Sequence, residues 1–72
     1  MIVRMPVNSS SLAAVGYDHF TGTLEIEFHD GAVYQYFDVP AYVYTGLMSM
    51  GSHGYYFQTF IKNGGYRYKK VS

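Results

Sequence analysis

Apolar and polar residues alternate strictly from Thr23 to His29, where Leu24, Ile26 and Phe28 are separated by Glu25, Glu27 and His29. A period of two is that of a strand with one buried face. Asp30-Gly31 follows, a pair that favours a tight hairpin, and Val33 to Asp38 returns as the partner strand. Upstream, Leu12 to Tyr17 reads as an earlier strand, joined to the hairpin by the turn-forming stretch Asp18-His19-Phe20-Thr21-Gly22. Residues 1–10 read as an extended lead-in.

The period changes after Asp38-Val39-Pro40. Val39, Val43, Leu47 and Met50 recur at helical spacing, with Asp38 as a candidate cap and Pro40 acceptable in the first turn. Gly46 lies inside this stripe and costs about 1 kcal/mol relative to alanine, so it predicts close packing against the sheet or a neighbouring helix. Gly51 ends the helix, and Ser52 is a natural cap for a second one. Tyr56, Phe57, Phe60 and Ile61 give that second helix an apolar face, and Asn63-Gly64-Gly65 stops it. Tyr66 to Val71 alternates again, as a short edge strand or an ordered tail. The elements predict one α+β domain over residues 1–72: a three-stranded antiparallel meander, then two short helices packed on one face, with a short C-terminal edge strand as an option. The expected core is Leu24, Ile26, Phe28, Val43, Leu47, Phe57 and Ile61.

Two registers are open for the central hairpin. A two-residue Asp30-Gly31 loop sets Phe28 opposite Val33, Glu27 opposite Tyr34 and Glu25 opposite Tyr36. The tyrosines then share a face with two carboxylates, and Gln35 points into the core. A bulged or odd-numbered loop shifts the pairing by one, so that Tyr34 faces Phe28 and Tyr36 faces Ile26 on the core side. The second register is preferred, because both hydroxyls could then reach the sheet rim.

Composition restricts what this scaffold can be. The chain has 72 residues, nine tyrosines, five phenylalanines and no cysteine or tryptophan. Disulfides and cysteine-ligated zinc are excluded. A chain this short has a marginal core; large aromatic rings and self-association are two ways to compensate. No apolar run approaches membrane-spanning length, and Met1 to Ser10 lacks a signal-peptide core, so a cytoplasmic protein is the expectation. Net charge is zero, yet all five acids (Asp18, Glu25, Glu27, Asp30, Asp38) precede four of the five bases (Lys62, Arg67, Lys69, Lys70), with Arg4 the exception. Such segregation predicts either two faces of opposite sign or two patches that neutralise each other.

Catalytic patterns are scarce. His19, His29 and His53 show no metal-ligand spacing, so neither a metal nor a cofactor is expected. Ser52-His53 could suggest a nucleophile and base, but adjacent side chains diverge and Ser52 serves better as a helix cap. Glu25 and Glu27 are a carboxylate pair of the kind used in acid/base chemistry; on an amphipathic strand they are more simply its solvent side. The chain reads as a non-enzyme.

At the level of whole segments the chain resembles the KTSC domain, a short bacterial and phage family also found at the C-terminus of some lysyl-tRNA synthetases. Ser9-Ser10 and Gly16-Tyr17-Asp18 match its first segment, and Thr23-Leu24, Phe28 and Gly31 its central hairpin. Tyr34-Gln35-Tyr36 matches its central Tyr-x-Tyr, and Val39-Pro40 with Tyr44 follows at the expected spacing. Ser52-x-Gly54-x-Tyr56-Phe57-Gln58 and Ile61-Lys62 complete the series, so the resemblance covers roughly residues 7–66. Met50 stands where the family tends to have alanine, Gln58 replaces an asparagine, and the first helix carries Gly46.

Two functions are consistent with this reading. One is a small interaction domain, which a phage or prophage could encode, using Tyr34, Tyr36, Glu25 and Glu27 toward a protein partner or a second copy. The alternative, which the resemblance to synthetase domains implies, is weak binding of single-stranded RNA or tRNA through the basic-aromatic set Lys62, Tyr66, Arg67, Tyr68, Lys69 and Lys70.

Overall fold

The loop after the Thr23 strand decides which side chains meet across the hairpin. The computed structural model describes residues 2–72. Its strands are β1 (Met5–Pro6), β2 (Leu12–Asp18), β3 (Thr23–Phe28), β4 (Val33–Tyr36) and β5 (Tyr68–Lys70). Between β4 and β5 lie helix α1 (Ala41–Ser49) and helix α2 (His53–Tyr56), which runs on as a wider π-helical segment, Phe57–Lys62. The sheet is a sequential antiparallel meander, β1-β2-β3-β4-β5. The α+β architecture matches the expectation, and the meander widens from three strands to five. One added strand is the candidate edge strand at the C-terminus; the other is a two-residue piece of the lead-in.

The β3–β4 loop has three residues, His29-Asp30-Gly31. The Phe28 amide donates to the Ala32 carbonyl at 2.9 Å, and the Gly31 amide donates to the Phe28 carbonyl at 3.0 Å. Gly31 takes φ 94°, the left-handed conformation this loop type requires. The Asp30 carboxylate closes the turn by accepting the Ala32 amide at 3.0 Å. Leu24 therefore pairs with Tyr36, Glu25 with Gln35 and Ile26 with Tyr34. The two-residue register is wrong. The odd-loop register has the correct face but the wrong partners: Tyr34 opposes Ile26 in place of Phe28, and Tyr36 opposes Leu24 in place of Ile26.

One side of the sheet carries the core, in which Leu12, Val15, Leu24, Ile26 and Tyr36 meet Val39, Val43, Leu47, Phe57 and Ile61. Of the seven expected core residues, Phe28 alone is only half-buried, and it packs against this cluster. The other side of the sheet is crossed by the lead-in. A side chain at Gly16 would meet Ile2 Cγ2 and the Val3 carbonyl oxygen, each at 2.6 Å, so this position must stay bare for the crossing.

Three local expectations are corrected. Asp38 does not cap α1: it turns the chain at φ 56°, and its carboxylate pairs with Arg67 at 3.0 Å, while Pro40 holds the cap position with no side-chain bond. Met50 leaves the apolar stripe because the chain is already extended there (ψ 145°), and it is exposed. Phe60 leaves the buried face of the second helix and is exposed, while Phe57 and Ile61 are buried and Tyr56 is half-buried against the core. The capping role of Ser52 is present, its hydroxyl accepting the Tyr55 amide at 3.3 Å. Gly46 packs closely as expected, and what occupies its side-chain space is the Tyr56 phenol.

Candidate functional site

Strand parity puts Tyr34 and Tyr36 on the helix side of β4, and β5 adds Tyr68 beside Tyr36 in the same row. The Tyr68 ring lies 5.5 Å from Tyr36 and 6.1 Å from Tyr34. Phe57 reaches in from the second helix, edge-on to Tyr36 at 5.6 Å and to Phe28 at 5.4 Å, and Phe28 meets Tyr34 edge-on at 5.9 Å. Edge-to-face aromatic contacts are favourable, so this floor is held by mutual packing. Above it opens a cleft of about 440 Å³ whose rim carries Ser11, Gln58, Lys62 and Asn63. Pockets of this size take small ligands or single protruding groups.

The cleft has a definite electrostatic character. Burial first, and then the neighbouring phenols of Tyr68 and Tyr34, push Tyr36 up to about 12, so its hydroxyl stays protonated at neutral pH. Lys62 lies on the rim, and Lys70 stands opposite Tyr34 on the same side of the sheet. Among the described residues no carboxylate lines the cleft.

Glu25 and Glu27 lie on the opposite side of the sheet, with Gln35. The Arg4 guanidinium bridges the two carboxylates, reaching Glu27 at 3.1 Å and Glu25 through a second nitrogen, and Gln35 donates to Glu25 at 2.8 Å. Glu25 is buried under this clasp. The four residues expected to share an interaction face are thus split between two faces, because strand neighbours alternate. The basic-aromatic set is split as well. Lys62 and Tyr68 line the cleft, and Lys70 stands opposite Tyr34 on the neighbouring strand. Tyr66 packs toward Tyr42 and Tyr56 on the helical side, and burial, then those two phenols, raises its pKa. Arg67 is engaged with Asp38 and lies over the Phe37 ring at 5.5 Å. Lys69 pairs in register with Gln35, on the carboxylate side. Segregated charges therefore partly neutralise, through Arg4 and Arg67, while among the described residues no carboxylate pairs with Lys62, Lys69 or Lys70.

Phe28, Phe57, Gln58, Asn63 and Ser11 belong to none of the sites expected from the sequence. Phe28 and Phe57 read as core from their periodicity, and only the open side of the packed layers shows that they also face a cleft. The polar residues singled out earlier have structural partners. A His53 ring nitrogen bonds the Leu47 carbonyl at 2.8 Å, and a His29 ring nitrogen bonds the Ser9 carbonyl at 2.8 Å. Among the described residues no group of three or more His, Asp or Glu is placed to hold a metal ion. No helix among them is long and apolar enough to cross a membrane.

Comparison with known proteins agrees with the strand and helix order. A crystal structure of a KTSC domain protein from Yersinia pestis superposes with a TM-score of 0.93 at 35% identity, covering 100% of both chains. An uncharacterized protein of Stutzerimonas stutzeri (strain A1501) is 40% identical over 68 residues, spanning 94% of this chain and 96% of that one. A lysine–tRNA ligase of Nostoc sp. (strain PCC 7120 / SAG 25.82 / UTEX 2576) is 41% identical over 63 residues, which are 88% of this chain but only 11% of the ligase. The family model of the KTSC domain matches residues 8–68. With the match running from the lead-in to β5, this chain belongs to the KTSC domain family.

Proposed function

We propose that the chain is a non-catalytic binding domain and that its aromatic cleft takes an unpaired base of single-stranded RNA. The observation that carries this is the convergence of Tyr34, Tyr36 and Tyr68 with Lys62 in one cleft that, among the described residues, no carboxylate lines. Unpaired bases stack on exposed aromatic rings, and lysines meet the phosphates on either side. Tyr68 is 61% exposed, so its ring retains surface for a base. Glu25 and Glu27, which would repel phosphate from a shared face, are on the far side of the sheet under Arg4. Gln58 and Asn63 offer amide donors and acceptors to a base edge. The match to segments of lysine–tRNA ligases supports the same reading, since those enzymes handle an RNA.

Two lysines give a small electrostatic contribution. The logarithm of affinity should fall with the logarithm of salt at a slope of about −1.4, about 0.7 for each phosphate met on a single strand. The test is fluorescence anisotropy of a labelled unstructured oligoribonucleotide at low salt, beside a duplex of the same length. Single strands should bind with a dissociation constant on the order of 10–1000 µM, and the duplex should bind more weakly. Tyr68→Ala should weaken binding roughly 5- to 150-fold, the equivalent of one lost stacking contact. Tyr55→Ala, at an exposed tyrosine outside the cleft, should leave it unchanged. Equal affinity for duplex, or indifference to Tyr68→Ala, refutes the assignment of the cleft.

A further inference from the structure

A second pocket, of about 360 Å³, adjoins the aromatic cleft, and Ser11 and Gly54 line both. Ser11 Oγ lies 2.5 Å from where a side-chain carbon at Gly54 would be, so the bare glycine is what lets the two segments meet at this shared wall. Among the described residues no Asp, Glu, Lys or Arg lines the second pocket; its side chains offer hydroxyls and an imidazole. Ser9 Oγ accepts the Ser11 and Leu12 amides, each at 3.2 Å, and Ser52 Oγ accepts the Tyr55 amide. These bonds use oxygen lone pairs, so the hydroxyl protons are not spent on them. The Leu47 carbonyl can only accept, so His53 Nδ1 carries the proton of their 2.8 Å bond, and in the neutral ring Nε2 is left as an acceptor. His29 holds the serine segment in place. Its ring Nε2 donates to the Ser9 carbonyl at 2.8 Å, and its amide donates to the Ser11 carbonyl at 3.4 Å.

We propose that this pocket takes the ribose of the nucleotide whose base lies in the aromatic cleft, and that it selects RNA over DNA through the 2′-hydroxyl, a reading that rests on the base site proposed for the cleft. Base and sugar are joined by a single bond, so the sugar of a base in the cleft must enter a space that adjoins it. The pocket across Ser11 and Gly54 is such a space. Its chemistry fits a sugar better than a phosphate, which would call for Lys or Arg. A 2′-hydroxyl both donates and accepts, and it is the group by which a protein tells RNA from DNA. The serine hydroxyls can donate to its oxygen, and His53 Nε2 can accept its proton. Deoxyribose has no group to pair with them. Tyr55 also borders the pocket, with a ring 63% exposed, but the sugar is held by the hydroxyl and imidazole groups and not by stacking.

The test is fluorescence anisotropy of the intact chain with labelled oligouridylate and with the matching oligodeoxyuridylate, at about pH 8 so that the imidazole is neutral. The two strands share base and phosphate and differ only at the 2′ position. The ribose strand should bind roughly 2- to 12-fold tighter, the worth of one net hydrogen bond. Ser11→Ala removes an exposed hydroxyl. His53→Asn keeps an amide nitrogen near the place of Nδ1 for the Leu47 carbonyl and removes the Nε2 acceptor. Each variant should weaken the ribose strand alone and bring the ratio of affinities toward one. Tyr68→Ala should weaken both strands and leave the ratio as it was, which separates the sugar site from the base site. Equal affinity of the parent for both strands overturns the ribose pocket while the base cleft stands. A preference for RNA that survives both Ser11→Ala and His53→Asn overturns it as well. Binding of neither strand overturns the pocket and the cleft together.

Discussion

Tyr36 ties the stability of this fold to alkaline pH in a way that can be calculated. Its ring is 5% exposed, set among Leu24, Phe57 and the phenols of Tyr34 and Tyr68. Ionising it inside the fold would place a charge in a poorly solvated site beside two other phenols, which is why its pKa rises from 10.0 to about 12. In the unfolded chain it titrates near 10. The folded pKa is the higher of the two, so the folded state retains a proton that the unfolded state loses. Stability is therefore intact below about pH 10 and falls between about pH 10 and 12, at about 1.4 kcal/mol per pH unit. The total is at most about 3 kcal/mol, and a domain of this length has on the order of 4–11 kcal/mol altogether. Urea unfolding at a series of pH values from 8 to about 11.5, followed by far-ultraviolet circular dichroism, measures the slope. Tyr17 and Tyr66 also have raised pKa values and contribute to the decline, so the informative quantity is the difference between the parent and Tyr36→Phe. The phenylalanine variant should match the parent within about 1 kcal/mol at pH 8 and should lose less stability as pH rises through 10. Identical slopes would refute the placement of Tyr36 in the buried row and, with it, the register of the hairpin.

Two further substitutions test other joints of the fold. Gly46→Ala should destabilise by about 1–3 kcal/mol in urea titration despite its better helix propensity, because the new methyl group takes the space of the Tyr56 phenol. Adding Tyr56→Ala should remove that specific penalty, so the two changes should be non-additive. Glu25→Ala removes the buried acceptor of Arg4 and Gln35 and should cost about 1.5–3 kcal/mol, whereas Glu27→Ala, at the more exposed end of the clasp, should cost less than about 1 kcal/mol.

Much of this architecture is legible from local patterns, and the departures from expectation have physical causes. Alternation at Leu24, Ile26 and Phe28 places β3, and the spacing of Val43 and Leu47 places α1, because each period maps directly onto the geometry of one element. Asp38 precedes a proline and a helical stripe, which suggests a cap. Its left-handed backbone and its bond to Arg67, 29 positions away, are long-range facts. Phe60 obeys the helical period as well as Phe57 does, but the wider turns of the second helix bring Phe57 and Ile61 inward and leave Phe60 outside.

The sequence by itself determined that this is a small α+β domain, cysteine-free and neutral, with a central hairpin, two glycine-bounded helices and the ordered motif series of its family. It also bounded the register to a choice between two faces for Tyr34 and Tyr36, since a strand's side chains can point only two ways. Tertiary structure alone decided the rest. A three-residue loop, fixed by Gly31, turned both tyrosines to the helix side and sent Glu25 and Glu27 to the other. The return of β5 alongside β4 then brought Tyr68 and Lys70 to residues more than thirty positions earlier, and the second helix brought Lys62 and Phe57 over them. A cleft is a relation between surfaces distant along the chain, and no local period encodes which open sides will face each other.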